Sequence, residues 1–139
     1  MEKKDKTKRI KMETRIIVSA IVKNKNNYLI AKRASSKKYA PGKWEFISGF
    51  VDENKSAEEI ILKELREEIK VKGEIIKKLI PYIINDKEAR WIIIPFIIKI
   101  LGNRFKINKN EHSEVKWVSA RELTQFSDLR KDIKELKIR

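Results

Sequence analysis

Three glutamates, Glu64, Glu67 and Glu68, follow the spacing i, i+3 and i+4 in a segment with helical character. In an α-helix this spacing places the three carboxylates on one face, within an arc of about 100°. Clustered carboxylates repel one another, so the group requires a positive counterpart. Hard oxygen ligands suit Mg²⁺ or Mn²⁺ better than zinc. The spacing alone is therefore compatible with a solvated acidic face or with a divalent-cation site on this face of the helix.

The composition limits the kinds of chemistry that the other residues could perform. The 139 residues include no cysteine and one histidine, His112, which we expect to be a surface or hydrogen-bonding residue. This composition excludes thiolate metal sites, cysteine nucleophiles and disulfides, and leaves little material for a histidine relay. The 34 basic and 20 acidic residues give a net charge of +14, which favours polyanionic partners such as nucleotides or nucleic acid.

The acidic cluster belongs to a helix that we predict from Ser56 to about Lys70. Ser56 is followed three residues later by Glu59, the capping-box arrangement that satisfies free N–H groups at a helix start. Apolar residues recur at steps of four for burial, and Gly73 ends the segment. The apolar positions are Ala57, Ile61, Leu65 and Ile69.

Strands are predicted on both sides of this helix. The β-branched segment 14–22 predicts a strand buried on both faces, and residues 28–31 return as the second arm of a hairpin. Pro81 and Pro95 indicate sheet edges or bulges, because proline cannot donate to a ladder. Further strands are predicted at 44–47, 75–84, 90–101 and 114–118, and helices at 120–123 and about 127–137. This order predicts an α+β fold, an α/β/α sandwich with a mixed β-sheet packed between helices.

We expect one domain over residues 13–139, preceded by a basic flexible tail at 1–12. The N-terminus lacks the apolar segment of a secretory signal. The longest apolar run, 91–98, is far shorter than the roughly 20 residues of a spanning helix. We therefore expect a cytoplasmic monomer or homodimer with no membrane partner. Only the net charge supports nucleic-acid binding.

The segment from Pro41 to Val71 resembles the Nudix box and its lead-in, the signature of Nudix hydrolases. The family pattern is a glycine, five residues, Glu, seven residues, and then Arg-Glu-apolar-x-Glu-Glu-x-Gly-apolar. The matching positions are Gly49, Glu64, Leu65, Glu67, Glu68 and Val71. Three positions depart from the pattern: Lys55 replaces a Glu, Lys63 replaces the Arg, and Lys70 replaces the second Gly. The resemblance extends over about residues 14–125.

The resemblance implies the Nudix fold and assigns roles to particular residues. Divalent cations, Mg²⁺ or Mn²⁺, would be bound by the Gly49 carbonyl and by Glu64, Glu67 and Glu68. The implied catalytic residues are Glu64, Glu67 and Glu111, with Glu64 or Glu111 taking the proton of an attacking water. Lys32 and Arg33 would neutralise phosphate charge. Apart from the resemblance, we expect Trp91, of the three tryptophans, to contact a nucleobase.

The implied activity is hydrolysis of the pyrophosphate linkage in a nucleoside diphosphate derivative, with a nucleoside monophosphate as product. We expect the substrate to be a ribo- or deoxyribonucleoside triphosphate or a modified nucleotide. One alternative is a pyrophosphatase for ADP-ribose or another nucleoside-diphosphate sugar. Another is a weakly active Nudix-fold module that binds nucleotide or RNA. Lys55 and Lys63 favour that last alternative, because lysine loses the carboxylate in one case and the planar guanidinium in the other.

Overall fold

The computed structural model describes residues 12–102 and 104–138, so the basic tail predicted at 1–12 lies outside the described residues except for Met12. The elements follow one another as β1 (Thr14–Asn24), β2 (Asn27–Arg33), β3 (Trp44–Glu45), β4 (Ile47–Phe50), α1 (Ala57–Ile69), β5 (Lys72–Lys78), β6 (Tyr82–Asn85), β7 (Arg90–Leu101), β8 (His112–Ser119), α2 (Ala120–Leu123), a 3₁₀ turn (Ser127–Leu129) and α3 (Arg130–Leu136).

The eight strands of the described ranges form one mixed sheet in which β1 is central. β1 runs parallel to β7 and antiparallel to β4, and its end forms a hairpin with β2. The other edge of β7 pairs with β6 and then with β5, whereas β2 pairs with β3 and β8. β1 thus joins two wings of the sheet, one containing β4, β5, β6 and β7 and the other containing β2, β3 and β8.

Helices cover both faces of this sheet. Alternate side chains of β1 point to opposite faces, so β1 contributes to the apolar core on each side. Ala20 belongs to the apolar core under α1, where Ile61 and Leu65 are fully buried. Ile21 belongs to a second core with Leu123 of α2. Burying each such side chain contributes roughly 1.5–3 kcal/mol. The predicted α+β sandwich with a mixed sheet is confirmed. Within residues 12–102 and 104–138, every helix is too short or too polar to cross a lipid bilayer.

Both ends of α1 are defined by local contacts. The Ser56 hydroxyl accepts from the Glu59 N–H at 3.1 Å, and the Glu59 carboxylate accepts from the Ser56 N–H at 2.9 Å, so the predicted capping box is present. At the other end Lys70 takes a left-handed conformation, with φ at 59°. This conformation costs a non-glycine residue about 1–2 kcal/mol. Lys70 therefore stands where the family pattern has a glycine and accepts the strain that glycine would avoid.

The two prolines mark a break within the sheet. The segment predicted as one strand at 75–84 is two strands, β5 and β6, separated around Pro81. Pro95 lies inside β7, next to β1, and is therefore not on an edge strand as predicted. The pairing of β6 with β7 ends at Ile93, and the pairing of β5 ends at Phe96. The missing N–H of Pro95 therefore faces the break between β5 and β6, where the ladder requires no donor.

Candidate active site

A cleft of about 1170 Å³ opens beside the central strands of the sheet. Its walls come from β3, β4, α1, β7, the loop 34–43 and the C-terminal segment of the chain. Five of the residues selected from the sequence line it: Arg33, Gly49, Glu64, Trp91 and Glu111. Lys32, Glu67 and Glu68 do not contribute to the surface of the cleft. The cleft thus brings together some, but not all, of the site residues predicted from the sequence.

Gly49 of β4 lies directly against the Glu64 side chain of α1. A Cβ atom placed on Gly49 would come within 2.7 Å of Glu64 Cδ, which no side chain tolerates. Gly49 is paired with Val18 of the central strand, so the sheet cannot move away. A glycine at this position allows the Glu64 carboxylate to lie directly on β4 with its oxygens beside the strand backbone.

Glu68 is buried, with only 4% of its surface exposed. Burial raises the pKa of its carboxyl far above the usual value, and the nearby carboxyl of Glu64 raises it further. Glu45 and Glu111 add smaller repulsions. A buried carboxylate held beside a second one is stabilised by a cation, and the oxygen donors of Gly49, Glu64 and Glu68 suit a hard divalent ion. In the described part of the chain, no three acidic or histidine side chains already converge into a preassembled metal site.

Glu67 points away from this pair. Its side chain is 54% exposed and lies 3.6 Å from the Lys63 ammonium, in an i, i+4 pair on the surface of α1. Such pairs contribute about 0.3–0.5 kcal/mol. The structure therefore separates Glu67 from Glu64 and Glu68, although the helical spacing grouped all three. Lys63 occupies the arginine position of the family pattern, and within residues 12–102 and 104–138 its ion pair is with this exposed glutamate.

Arg33 is held by hydrogen bonds at the wall of the cleft. Its Nε donates to the Tyr39 carbonyl at 2.8 Å, and its Nη1 donates to the two carboxylate oxygens of Glu45 at 3.2 and 3.1 Å. Lys32 is paired with Trp44 and Glu114 in neighbouring strands, and a register shift separates it from Arg33. Glu45 carries no recognisable sequence signal, since it belongs to a two-residue strand.

Glu111 is paired with a lysine that sequence reasoning missed. The Lys37 ammonium lies 3.0 Å from both oxygens of the Glu111 carboxylate. Lys37 also lines the cleft and belongs to the loop that follows β2. The two residues are 74 positions apart, so no local spacing could have indicated the pair. The cleft thus contains the Lys37 ammonium, which is paired with a carboxylate.

His112 is buried rather than on the surface, with 1% of its area exposed. Its Nε2 lies 2.8 Å from Glu45 Oε2, a hydrogen-bonding distance. Its Nδ1 lies 3.2 Å from Glu68 Oε1 but outside hydrogen-bonding geometry. We expected His112 to lie on the surface or to form a hydrogen bond. The surface location is wrong, and the hydrogen-bonding role is confirmed.

Trp91 belongs to an aromatic cluster on the wall of the cleft. Its ring centroid lies 5.5 Å from that of Tyr39 and 6.3 Å from that of Phe50, which is 52% exposed. The indole N–H donates to Asp86 at 2.9 Å, which fixes the orientation of the ring. The Arg15 guanidinium covers the Tyr39 ring at 5.0 Å. Together these rings offer a rigid apolar surface for a flat ligand.

Comparison with known proteins gives a consistent result. The family model described as NUDIX domain matches residues 13–138. A protein named nucleoside triphosphatase NudI, from Escherichia fergusonii, is 27% identical over 126 residues, which cover 83% of this chain and 89% of that protein.

Two solved structures share the fold. The MutT protein from Methanosarcina mazei Go1 superposes with a TM-score of 0.75 at 22% identity, covering 86% of each chain. The NUDIX domain of Shewanella oneidensis NrtR, in complex with ADP ribose, superposes with a TM-score of 0.70 at 22% identity. That match covers 95% of this chain and 92% of the other.

Proposed function

Because the chain belongs to the Nudix family of pyrophosphohydrolases, we propose that it hydrolyses nucleoside triphosphates to nucleoside monophosphate and pyrophosphate with the help of Mg²⁺. Mn²⁺ would serve in its place. The observation that carries this proposal is the contact of Glu64 with Gly49 on β4, one helical turn from the buried Glu68. These residues supply only oxygen donors, and their burial favours a bound cation.

The cation would be held by the Gly49 carbonyl, Glu64 and Glu68, with Glu67 added if its side chain leaves Lys63. When bound, a divalent ion would neutralise the negative charge of the substrate diphosphate and would lower the pKa of an attacking water. Glu67 lies apart from the other donors, since its carboxylate is 3.6 Å from the Lys63 ammonium on the outer face of α1.

The remaining steps belong to the side chains of the cleft. Glu64 or Glu111 accepts the proton of the attacking water. Arg33 and Lys37 neutralise the negative charge of the phosphates, and Lys37 becomes available for this when Glu111 turns to the water. Lys32 adds positive charge at the adjacent strand position, outside the lining of the cleft. Arg33 is therefore our choice for direct phosphate contact.

The Trp91 cluster would receive the nucleobase, since flat aromatic rings stack on bases without a need for a particular hydrogen-bond pattern. The NudI relative is named a nucleoside triphosphatase, which supports a triphosphate substrate. The complex of the NrtR domain with ADP ribose supports the alternative of an ADP-ribose or nucleoside-diphosphate-sugar pyrophosphatase. We further propose that the protein is a cytoplasmic monomer or homodimer.

A panel of nucleotides tests this proposal. The full chain is incubated with ribo- and deoxyribonucleoside triphosphates, modified triphosphates, ADP-ribose and nucleoside-diphosphate sugars, with Mg²⁺ or with EDTA. We expect release of nucleoside monophosphate from triphosphates with Mg²⁺ and none with EDTA. Cleavage of ADP-ribose alone would support the alternative substrate class. Nucleotide or RNA binding without turnover, in both wild type and Lys63→Arg, would replace the enzyme by a binding module.

A further inference from the structure

The only histidine of the chain, His112, is a buried polar residue that the proposed reaction does not use. A buried side chain of this kind requires polar partners. Both ring nitrogens face carboxylates: Nε2 lies 2.8 Å from Glu45, and Nδ1 lies 3.2 Å from Glu68. The imidazole therefore stands between an acid of β3 and an acid of α1.

Glu45 is itself fixed from three sides. Arg33 donates to both of its oxygens, His112 lies at 2.8 Å, and the Ser48 hydroxyl donates at 3.5 Å. This carboxylate consequently has little freedom to move. The imidazole Nε2 therefore lies against a carboxylate that is held in place. Because Glu45 belongs to β3, this strand sets the position of the Nδ1 edge of the ring.

The backbone around His112 is tied to the same end of α1. The N–H groups of Lys106 and Asn108 donate to the carbonyls of Ile69 and Glu68, each at 2.9 Å, and the His112 N–H donates to the Asn108 carbonyl at 3.0 Å. These hydrogen bonds hold the loop 104–112 against the last turn of α1. The ring keeps its distance from Glu68 because backbone bonds, and not only side-chain contacts, connect the two elements.

Besides His112, the carboxyl of Glu64 interacts with that of Glu68. Lys63, at the arginine position of the family pattern, contacts Glu67 instead. On the basis of the proposed metal-dependent function, we propose that His112 is a positioning residue that transmits the rigid placement of Glu45 to Glu68 and so fixes the cation-facing carboxylate of α1. It touches neither substrate nor reacting atoms. Partners behind a ligand typically change metal affinity or activity by about 10–100-fold when removed.

Substitution tests this role in the full chain. His112→Phe keeps a ring of similar size but removes both nitrogens, whereas His112→Gln restores a donor and an acceptor. Leu123→Ala is the matched control, because Leu123 is fully buried in the second core, away from the acids. The readouts are the Mn²⁺ dissociation constant by calorimetry without nucleotide, and kcat and KM measured separately.

For His112→Phe we expect the Mn²⁺ dissociation constant to rise about tenfold or more and kcat to fall by a similar factor, with KM for nucleotide within about threefold. His112→Gln should recover most of both losses, and Leu123→Ala should change neither while lowering the melting temperature. A folded His112→Phe with wild-type Mn²⁺ affinity and kcat overturns the inference. Equal losses in Leu123→Ala also overturn it.

A measurement on the wild type keeps the test independent of folding in the variants. His112 is unique, so its ring ¹H–¹⁵N correlation in the tag-free chain is assigned without mutation. We expect these resonances to shift and saturate on addition of Mg²⁺ alone, and an unchanged ring spectrum at saturating Mg²⁺ contradicts the inference. A wild type that shows this shift but hydrolyses no nucleotide refutes the proposed function and leaves the role of His112 intact.

Discussion

Gly49 and Glu64 approach so closely that the absence of a single carbon atom determines the position of the helix acid. A Cβ on Gly49 would come within 2.7 Å of Glu64 Cδ. Gly49 has no unusual backbone dihedral that would itself require glycine, so the requirement is one of space. The same contact brings together the Gly49 backbone and the Glu64 carboxylate, which we propose as donors for one cation.

Gly49→Ala should therefore inactivate the protein without unfolding it. The added methyl displaces Glu64 by an amount on the order of 1 Å, and a misplacement of this size costs about 100-fold in turnover. Gly73→Ala, on β5, is the control, since its Cβ would meet the end of the Leu65 side chain in the core under α1, away from the cleft. Turnover and thermal melts of both variants check the expectation. Equal turnover in the two variants would contradict it.

Glu67→Gln and Glu68→Gln should differ, although the two residues are adjacent. Removing the buried charge of Glu68 takes away a donor of the proposed cation and should lower turnover by about 100-fold or more. Glu67 is half-exposed beside Lys63, and we expect a loss of about tenfold or less. Initial rates at saturating Mg²⁺ measure both. A larger loss for Glu67→Gln would indicate that its side chain turns inward when the cation binds.

Glu68→Gln should also stabilise the fold in the absence of cations. Burial and the neighbouring Glu64 raise the pKa of Glu68, so near neutral pH the folded state must either hold a proton or bear the cost of a buried charge. The amide avoids that cost. Urea unfolding in EDTA at pH 7 should give a higher midpoint for the variant than for the wild type, and a lower midpoint would argue against this account.

Trp91→Leu should weaken binding of the nucleoside and leave the chemistry intact. The indole is oriented by its bond to Asp86 and lies among Tyr39 and Phe50. Losing one stacking surface costs about 1–3 kcal/mol, so we expect KM to rise at least about fivefold with kcat nearly unchanged. Inhibition by inorganic tripolyphosphate, which has no base, serves as the control. A matching loss of tripolyphosphate affinity would exclude a role confined to the base.

Asp132 should make stability fall as the pH rises. Its pKa is raised to about 6, chiefly by burial, from an ordinary value of 3.8. Tyr82, which donates to it at 2.7 Å, and the charge of Lys131 act in the opposite direction, and Glu45 adds to the increase. A raised folded-state pKa gives stability that is complete below about pH 3.8 and is lost as the pH rises through about 6.

The loss amounts to roughly 3 kcal/mol, and Asp132→Asn should remove it. The difference in free energy of unfolding between the variant and the wild type, measured in urea from pH 4 to 8, isolates this carboxyl from the other titrating groups. The variant should gain on the wild type as the pH rises. A constant difference over this range would show that Asp132 keeps an ordinary pKa.

The elements of the fold were predictable where the signal is local. Ser56 with Glu59 forms the expected capping box, and Ser119 repeats the arrangement with Glu122 at the start of α2, because a cap depends only on residues three positions apart. Pro95 was misplaced for the opposite reason. Its tolerance in an inner strand depends on where two partner strands end, and no property of its own segment carries that information.

The residues of the site also divide into those that have a local sequence signal and those that do not. The sequence identified Gly49 and Glu64 through the spacing of a long motif, and the structure brings them into contact. His112 pairs with Glu45 across 67 positions, and Lys37 pairs with Glu111 across 74. Such pairs arise from the order of strands in the sheet, which the spacing of charged residues in one sequence does not encode.

Several groups of the site depend on the last turn of α1, because backbone hydrogen bonds tie the loop 104–112 to it. That turn ends at Lys70, whose left-handed backbone is already strained, and it carries Glu68 together with the loop that places Glu111 and His112. Fraying of this one turn moves all three side chains at once, while the sheet, held by the long pairing of β1 with β7, stays closed. We therefore expect turnover to be lost on heating before the sheet unfolds.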